Sequence, residues 1–116
     1  MEFFEAPAFT RYLSEYLDDE GYRTLQQELA RKPEAGEPIP GTGGFRKVRW
    51  ADVRRGKGRR GGLRAIYYYF AAEHQIWLMT LYGKDEVADL IAKEKKALKG
   101  AIEGERKARE AVRRKQ

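Results

Sequence analysis

The stretch Leu63–Ala72, LRAIYYYFAA, is too aromatic and β-branched to prefer a helix and reads as a central strand. Glu73-His74 makes a turn, and Gln75–Tyr82, QIWLMTLY, returns as a second strand closed by Gly83. An antiparallel hairpin is therefore expected. A third extended segment precedes it at Phe45–Trp50, where Lys47 and Arg49 share one face and Val48 and Trp50 the other. One face suits a core and the other is basic.

The flanking segments have helical periodicity. FFEA near the N-terminus is a short strand candidate, and Pro7 fits the first turn of a helix, where its missing N–H is harmless. Phe9, Leu13, Tyr16 and Leu17 recur at i, i+4, i+7 and i+8, and Tyr22, Leu25 and Leu29 follow the acidic run Asp18–Glu20, which suits a helix N-terminus. That helix ends before Pro33, and residues 33–44, rich in proline and glycine, form a loop. From Asp85 onward the pattern is helical again, with Ile91, Leu98 and Ile102, plus Ala97 and Ala101, as its apolar stripe. The resulting class is α+β: a short N-terminal strand, two helices, a three-stranded antiparallel meander and a C-terminal helix. Helices are expected on one face of the sheet, leaving the other free to carry charge. With 116 residues, 41% of them apolar, the chain supports one domain over 1–102, followed by a charged tail at 103–116 that offers little to bury.

The net charge is +6. Its distribution says more than its sum, because acids crowd the N-terminal third while Asp52 stands alone among the cations from Arg46 to Arg64. Those cations are Arg46, Lys47, Arg49, Arg54, Arg55, Lys57, Arg59, Arg60 and Arg64, a concentration suited to a polyanion. RRGKGRRGG at 54–62 equally suits a phosphate-binding loop or a basic surface loop, and it lacks the Walker spacing. No run approaches the roughly 18 apolar residues of a membrane span, and the start of the chain has no secretory pattern, so a cytoplasmic protein is expected.

The residue inventory narrows the chemistry. With one histidine and no cysteine, the chain has neither an imidazole pair for acid–base catalysis nor a thiolate nucleophile. His74 falls in the hairpin turn, and the acids fall mainly in helices, so neither a catalytic histidine nor a metal cluster nor any cofactor is expected. RNA can still be cleaved by such a chain, since its own 2′-hydroxyl is a nucleophile and the protein need only position and stabilise. Arg64, at the start of an otherwise apolar strand, suits the stabilisation of phosphate charge. Lys47, and less so Lys57, is a candidate proton acceptor, although Lys47 and Arg49 equally suit the solvated side of an amphipathic strand. Tyr82 and Lys84, at the end of the last strand, are secondary candidates. Tyr67, Tyr68, Tyr69 and Phe70 alternate faces and fit core packing better than base stacking, as do Trp50 and Trp77.

Taken together, GTGGFRKVRW, the glycine-rich basic loop, GGLRAIYYYF and IWLMTLYGKDEVADL resemble the RelE/HigB family of toxins over about residues 39–98, the HigB-like branch above all. The resemblance implies a metal-independent, ribosome-dependent endoribonuclease. Such a toxin enters the A site of the 30S subunit, against ribosomal RNA, and cuts mRNA by 2′-hydroxyl attack to leave a cyclic phosphate. It also implies a neighbouring antitoxin of the HigA or RelB type, with a helix-turn-helix domain. The family's paired basic positions fall on Lys47 and Arg49, its strand-opening arginine on Arg64, and the basic residue after the last-strand glycine on Lys84. Where the RelE branch has a further arginine this chain has Asp85, and that branch's catalytic tyrosine falls on Ile91, so its acid–base roles do not carry over whole. Two other readings compete: a ParE-like inhibitor of gyrase, which has no need of a converging basic face, and an RNA-binding module without catalysis.

Overall fold

The computed structural model describes residues 1–52, 56, 58, 62–86 and 90–115. Its elements run β1 (Glu2–Glu5), α1 (Pro7–Tyr16), α2 (Asp19–Arg31), β2 (Glu37–Pro38), β3 (Arg46–Trp50), β4 (Leu63–Phe70), β5 (Gln75–Gly83) and α3 (Ala92–Arg114). The α+β class and the element order agree with the sequence reading. The five strands form one sheet in the order β1-β5-β4-β3-β2.

The hairpin is the centre of that sheet, with Phe70 opposite Gln75 at the turn and Leu63 opposite Gly83 at the far end. His74 closes the turn at φ 55 and is exposed. The register shifts once, since Ile66 pairs with Thr80 and Tyr67 with Leu78, leaving Met79 as the extra residue of a bulge. The bulge keeps Leu81 on the same side as Ile76 and Leu78, in the same buried cluster. β3 pairs antiparallel with β4, from Arg46 opposite Tyr67 to Trp50 opposite Leu63, and β1 lies parallel to β5 at the other edge.

α1 and α2 cover one face. Phe9, Tyr16, Leu25 and Leu29 meet Val48, Trp50, Ala65, Tyr67 and Leu78 in a buried cluster, the period-3.6 stripes of the helices matching the period-2 faces of the strands. Pro7 starts α1 as expected. Asp18 caps α2 by accepting a 2.7 Å hydrogen bond from the Gly21 N–H.

Four expectations need correction. The 33–44 loop contains β2, which pairs Glu37 with Lys47 and Pro38 with Arg46; proline is tolerated there because β2 is the sheet's outer strand. β4 ends at Phe70 rather than Ala72, because Ala71–His74 form the turn. α3 begins at Ala92, not Asp85, and its inward stripe is the buried Ile102 and the half-buried Leu98, while Ile91, Ala97 and Ala101 are exposed. The second face of the sheet is not free either, because α3 lies on it, packing Ile102 and Leu98 against Phe45, Ile66, Tyr68 and Phe70.

The charged segment after residue 102 continues this helix to Arg114. Arg106 Nε donates 2.8 Å to the Tyr68 hydroxyl, and the Arg109 guanidinium lies 3.7 Å over the Phe70 ring. Gly43, at φ 76, lets the loop before β3 approach α3, since a Cβ there would stand 3.0 Å from Ile102 Cγ2. Among the described residues no helix is long and apolar enough to cross a membrane.

Candidate nucleic-acid interface

Strand alternation puts Lys47 and Arg49 on the α3 side of the sheet, and the register lines them up with specific neighbours. One row across the sheet is Arg49–Arg64–Tyr82. The next is Glu37–Lys47–Ile66–Thr80. Three of the sequence candidates thus share a row, and a fourth, Lys47, stands in the row beside it.

Arg64 is 4% exposed, and its Nη1 donates 3.2 Å to the Leu63 carbonyl. Burial holds its pKa below the usual guanidinium value, and the positive charge of Arg49 pushes the same way, while Tyr82 and Glu37 act in the opposite sense. Side chains directly opposite on antiparallel strands have Cβ atoms about 4.5–5.5 Å apart, and like charges placed so repel. The Arg49–Arg64 pair is therefore unfavourable by itself, and an anion between the two would relieve it.

Lys47 is half-buried and Arg49 exposed; with Arg31, Lys32, Glu37 and Trp50 they line a cleft of about 520 Å3 at the β3 edge. Tyr82 is buried at 8% exposure, in the cluster under α3. Lys84 is exposed and its N–H donates 3.0 Å to the Gly62 carbonyl, which ties the end of β5 to the start of β4. Gly62 is itself closely packed, because a Cβ there would fall inside van der Waals contact of the Trp50 carbonyl oxygen and 2.9 Å from the Asp52 nitrogen.

Arg46 does not join this group. It pairs with Tyr67 on the other face, and its Nη1 donates 2.8 Å to the Gly36 carbonyl, so it braces the loop. Arg54, Arg55, Lys57, Arg59 and Arg60 lie outside the described residues. Asp85 is exposed in the turn after β5, and Ile91 is exposed at the start of α3. Tyr67 is wholly buried, with Trp50 and Tyr68 nearly so, in keeping with core packing.

Two groups escaped the sequence reading. Glu37 sat in an apparent loop, and only its pairing with Lys47 brings a carboxylate to the basic face. Glu86 accepts a 2.8 Å hydrogen bond from the Tyr16 hydroxyl, anchoring the turn that carries Lys84 to α1. No local pattern links positions so far apart.

No protein-family model matches the chain. Among solved structures, it is similar to one of the E. coli toxin RelE, a double arginine-to-alanine mutant in the free state, at 15% identity and a TM-score of 0.47, over 75% of this chain and 86% of that one.

Proposed function

We propose that the protein is a metal-independent endoribonuclease, a toxin that cleaves mRNA in the A site of the ribosome. The observation that carries this reading is the Arg49–Arg64 pair: two arginines in directly opposed register positions on one face of the sheet, a pairing suited to holding a phosphodiester. Arg64 is little exposed, so an incoming phosphate meets Arg49 first and reaches the edge of Arg64 beside it.

The substrate 2′-oxygen attacks phosphorus, the bond from phosphorus to the 5′-oxygen breaks, and the products are a 2′,3′-cyclic phosphate and a 5′-hydroxyl. Arg64 and Arg49 stabilise the charge that builds on the non-bridging oxygens. Lys47, a cation opposite Glu37, acts as a further phosphate ligand, and Glu37 is the group in that row able to take the 2′-hydroxyl proton. Lys84, at the far end of the sheet, supplies a proton to the departing 5′-oxygen, with Tyr82 shaping the wall beside Arg64.

The proposed partner is an antitoxin of the HigA or RelB type with a helix-turn-helix domain. Its acidic or amphipathic segment would cover the basic row and silence the site. The reading places the protein in the cytoplasm, where translating ribosomes are.

The test is primer extension on a defined mRNA with and without translating ribosomes, comparing the protein with Arg64→Ala, both verified as folded by circular dichroism. Ribosome-dependent cuts that vanish in the variant are expected. Their absence from the folded wild-type protein would overturn the reading in favour of gyrase inhibition or RNA binding without cleavage.

A further inference from the structure

α3 sorts its charges by flank. Bordering one side of its inward stripe, Lys95, Lys99 and Arg106 fall at i, i+4 and i+11 and stand in one row, while Lys96, Lys107, Glu103 and Glu110 lie further round toward solvent. The opposite sector holds Glu94, Ala97, Ala101, Glu105, Ala108 and Val112, without a cation among them.

Contacts decide which way each sector turns. Gly43, in the loop before β3, lies against Lys99, a Cβ there standing 3.5 Å from its Cγ, and Arg106 Nη2 donates 3.0 Å to the Gly43 carbonyl. The basic sector therefore faces the β3 edge. Glu94 and Ala97 line a groove with Ala6 and Met79, and Glu105 lies beside Phe4 and Trp77, so the other sector faces the β1 edge. Nothing in the packing of Ile102 and Leu98 requires this segregation, since both sectors flank the same inward stripe.

The cations of α3 also differ in what holds them. Arg109, Arg113 and Arg114 are ion-paired with Glu105, Glu73 and Glu110, and Arg106 is engaged by Tyr68 and Gly43. Lys95, Lys96, Lys99 and Lys107 make no ion pair or side-chain hydrogen bond among the described residues. Lys95 to Arg106 covers about 16 Å of helix at 1.5 Å per residue. The helix is held in place by Arg106 on Tyr68 and Arg109 on Phe70.

We infer that the β3-facing flank of α3, through Lys95 and Lys99, is a second binding surface for the RNA phosphate backbone, on the same side of the sheet as the Arg49–Arg64 row. The inference rests on the proposed RNA reading of that row, but its test reads binding and not cleavage. Unpaired lysines on a rigid helix release counterions on meeting phosphates, without base preference. The backbone comes either from nucleotides flanking the cut or from ribosomal RNA.

The test compares Lys95→Gln/Lys99→Gln with Ala101→Glu/Ala108→Glu, two variants that lower the net charge equally on opposite flanks. Binding of a 2′-O-methyl RNA oligonucleotide, which keeps the phosphates and lacks the nucleophile, is followed by fluorescence anisotropy across a salt series. A parallel series measures binding to purified ribosomes. The lysine variant should reduce the slope of log K against log salt by about 1.4, at roughly 0.7 for each single-strand phosphate that the helix no longer neutralises, while the alanine variant keeps the wild-type slope. Weaker binding of the oligonucleotide assigns the surface to the substrate strand, and weaker binding of ribosomes alone assigns it to ribosomal RNA. Equal behaviour of the two variants in both series overturns the inference. Because neither series requires catalysis, a protein that cleaves nothing but shows the flank-specific effect would overturn the nuclease reading and leave this one standing.

Discussion

The Tyr16 hydroxyl on α1 donates a 2.8 Å hydrogen bond to Glu86 Oε2, joining the helical layer to the turn after β5 across 70 positions of sequence. The same turn is closed by the Glu86 N–H on the Gly83 carbonyl at 3.0 Å. Lys84 is thereby presented from a turn held at both its base and its tip.

Tyr16→Phe keeps the buried ring and removes the hydroxyl that bonds the carboxylate. It should lower stability by about 1.5 kcal/mol, as for a hydrogen bond to a charged acceptor, measured by urea unfolding. On the proposed function, RNA cleavage should fall several-fold in kcat with KM little changed, since the loosened turn moves Lys84 rather than Arg49 and Arg64.

Arg49→Ala should separate stability from activity. Removing one of two like charges in opposed strand positions relieves repulsion, so the variant should be as stable as wild type or more so in urea. Cleavage should nonetheless drop by about 100-fold, in line with the removal of one oxyanion-stabilising donor. A variant both less stable and fully active would contradict the role given to the pair.

The Tyr67 hydroxyl donates 2.7 Å to the Pro33 carbonyl and accepts 2.9 Å from the Gly36 N–H, tying the loop that holds Glu37 to the centre of the sheet. Tyr67→Phe leaves the buried Gly36 N–H unsatisfied, at a cost of about 1–3 kcal/mol. The midpoint of urea unfolding should fall accordingly, with the m-value unchanged.

Alkaline pH should destabilise the fold through Tyr22. Burial, then the Tyr22 hydrogen bond to Glu5 and the charge of that carboxylate, raises its pKa in the folded state. The unfolded chain releases this proton near pH 10 while the folded chain keeps it, so above that pH the unfolded state binds fewer protons and stability falls. The contribution is complete below pH 10 and is lost as pH rises beyond it. Tyr22→Phe should flatten the decline in unfolding free energy between about pH 10 and 11, though not abolish it, because burial raises the Tyr67 pKa as well.

Gly62→Ala would force a Cβ into the Trp50 carbonyl and against the Asp52 nitrogen, so the end of the β3–β4 ladder must open. Amide exchange at Leu63 and Arg64 should accelerate, and cleavage should fall with it, because Arg64 is registered from that end.

The β4–β5 hairpin, both N-terminal helices and the shared face of Lys47 and Arg49 were legible in the sequence because each follows from local periodicity and local turn chemistry. Alternation by two is a property of the strand alone, so it already put those two cations on one side. It does not say which residue stands opposite, and only the register across the sheet sets Arg49 against Arg64 and brings Glu37 to Lys47. Those pairings are settled by burying Val48, Trp50 and Leu63 together, which is a long-range condition. The face chosen by α3 was hidden for the same reason: its stripe is short and its later anchors are arginines, which bury their stems on Tyr68 and Phe70 only when the sheet already exists.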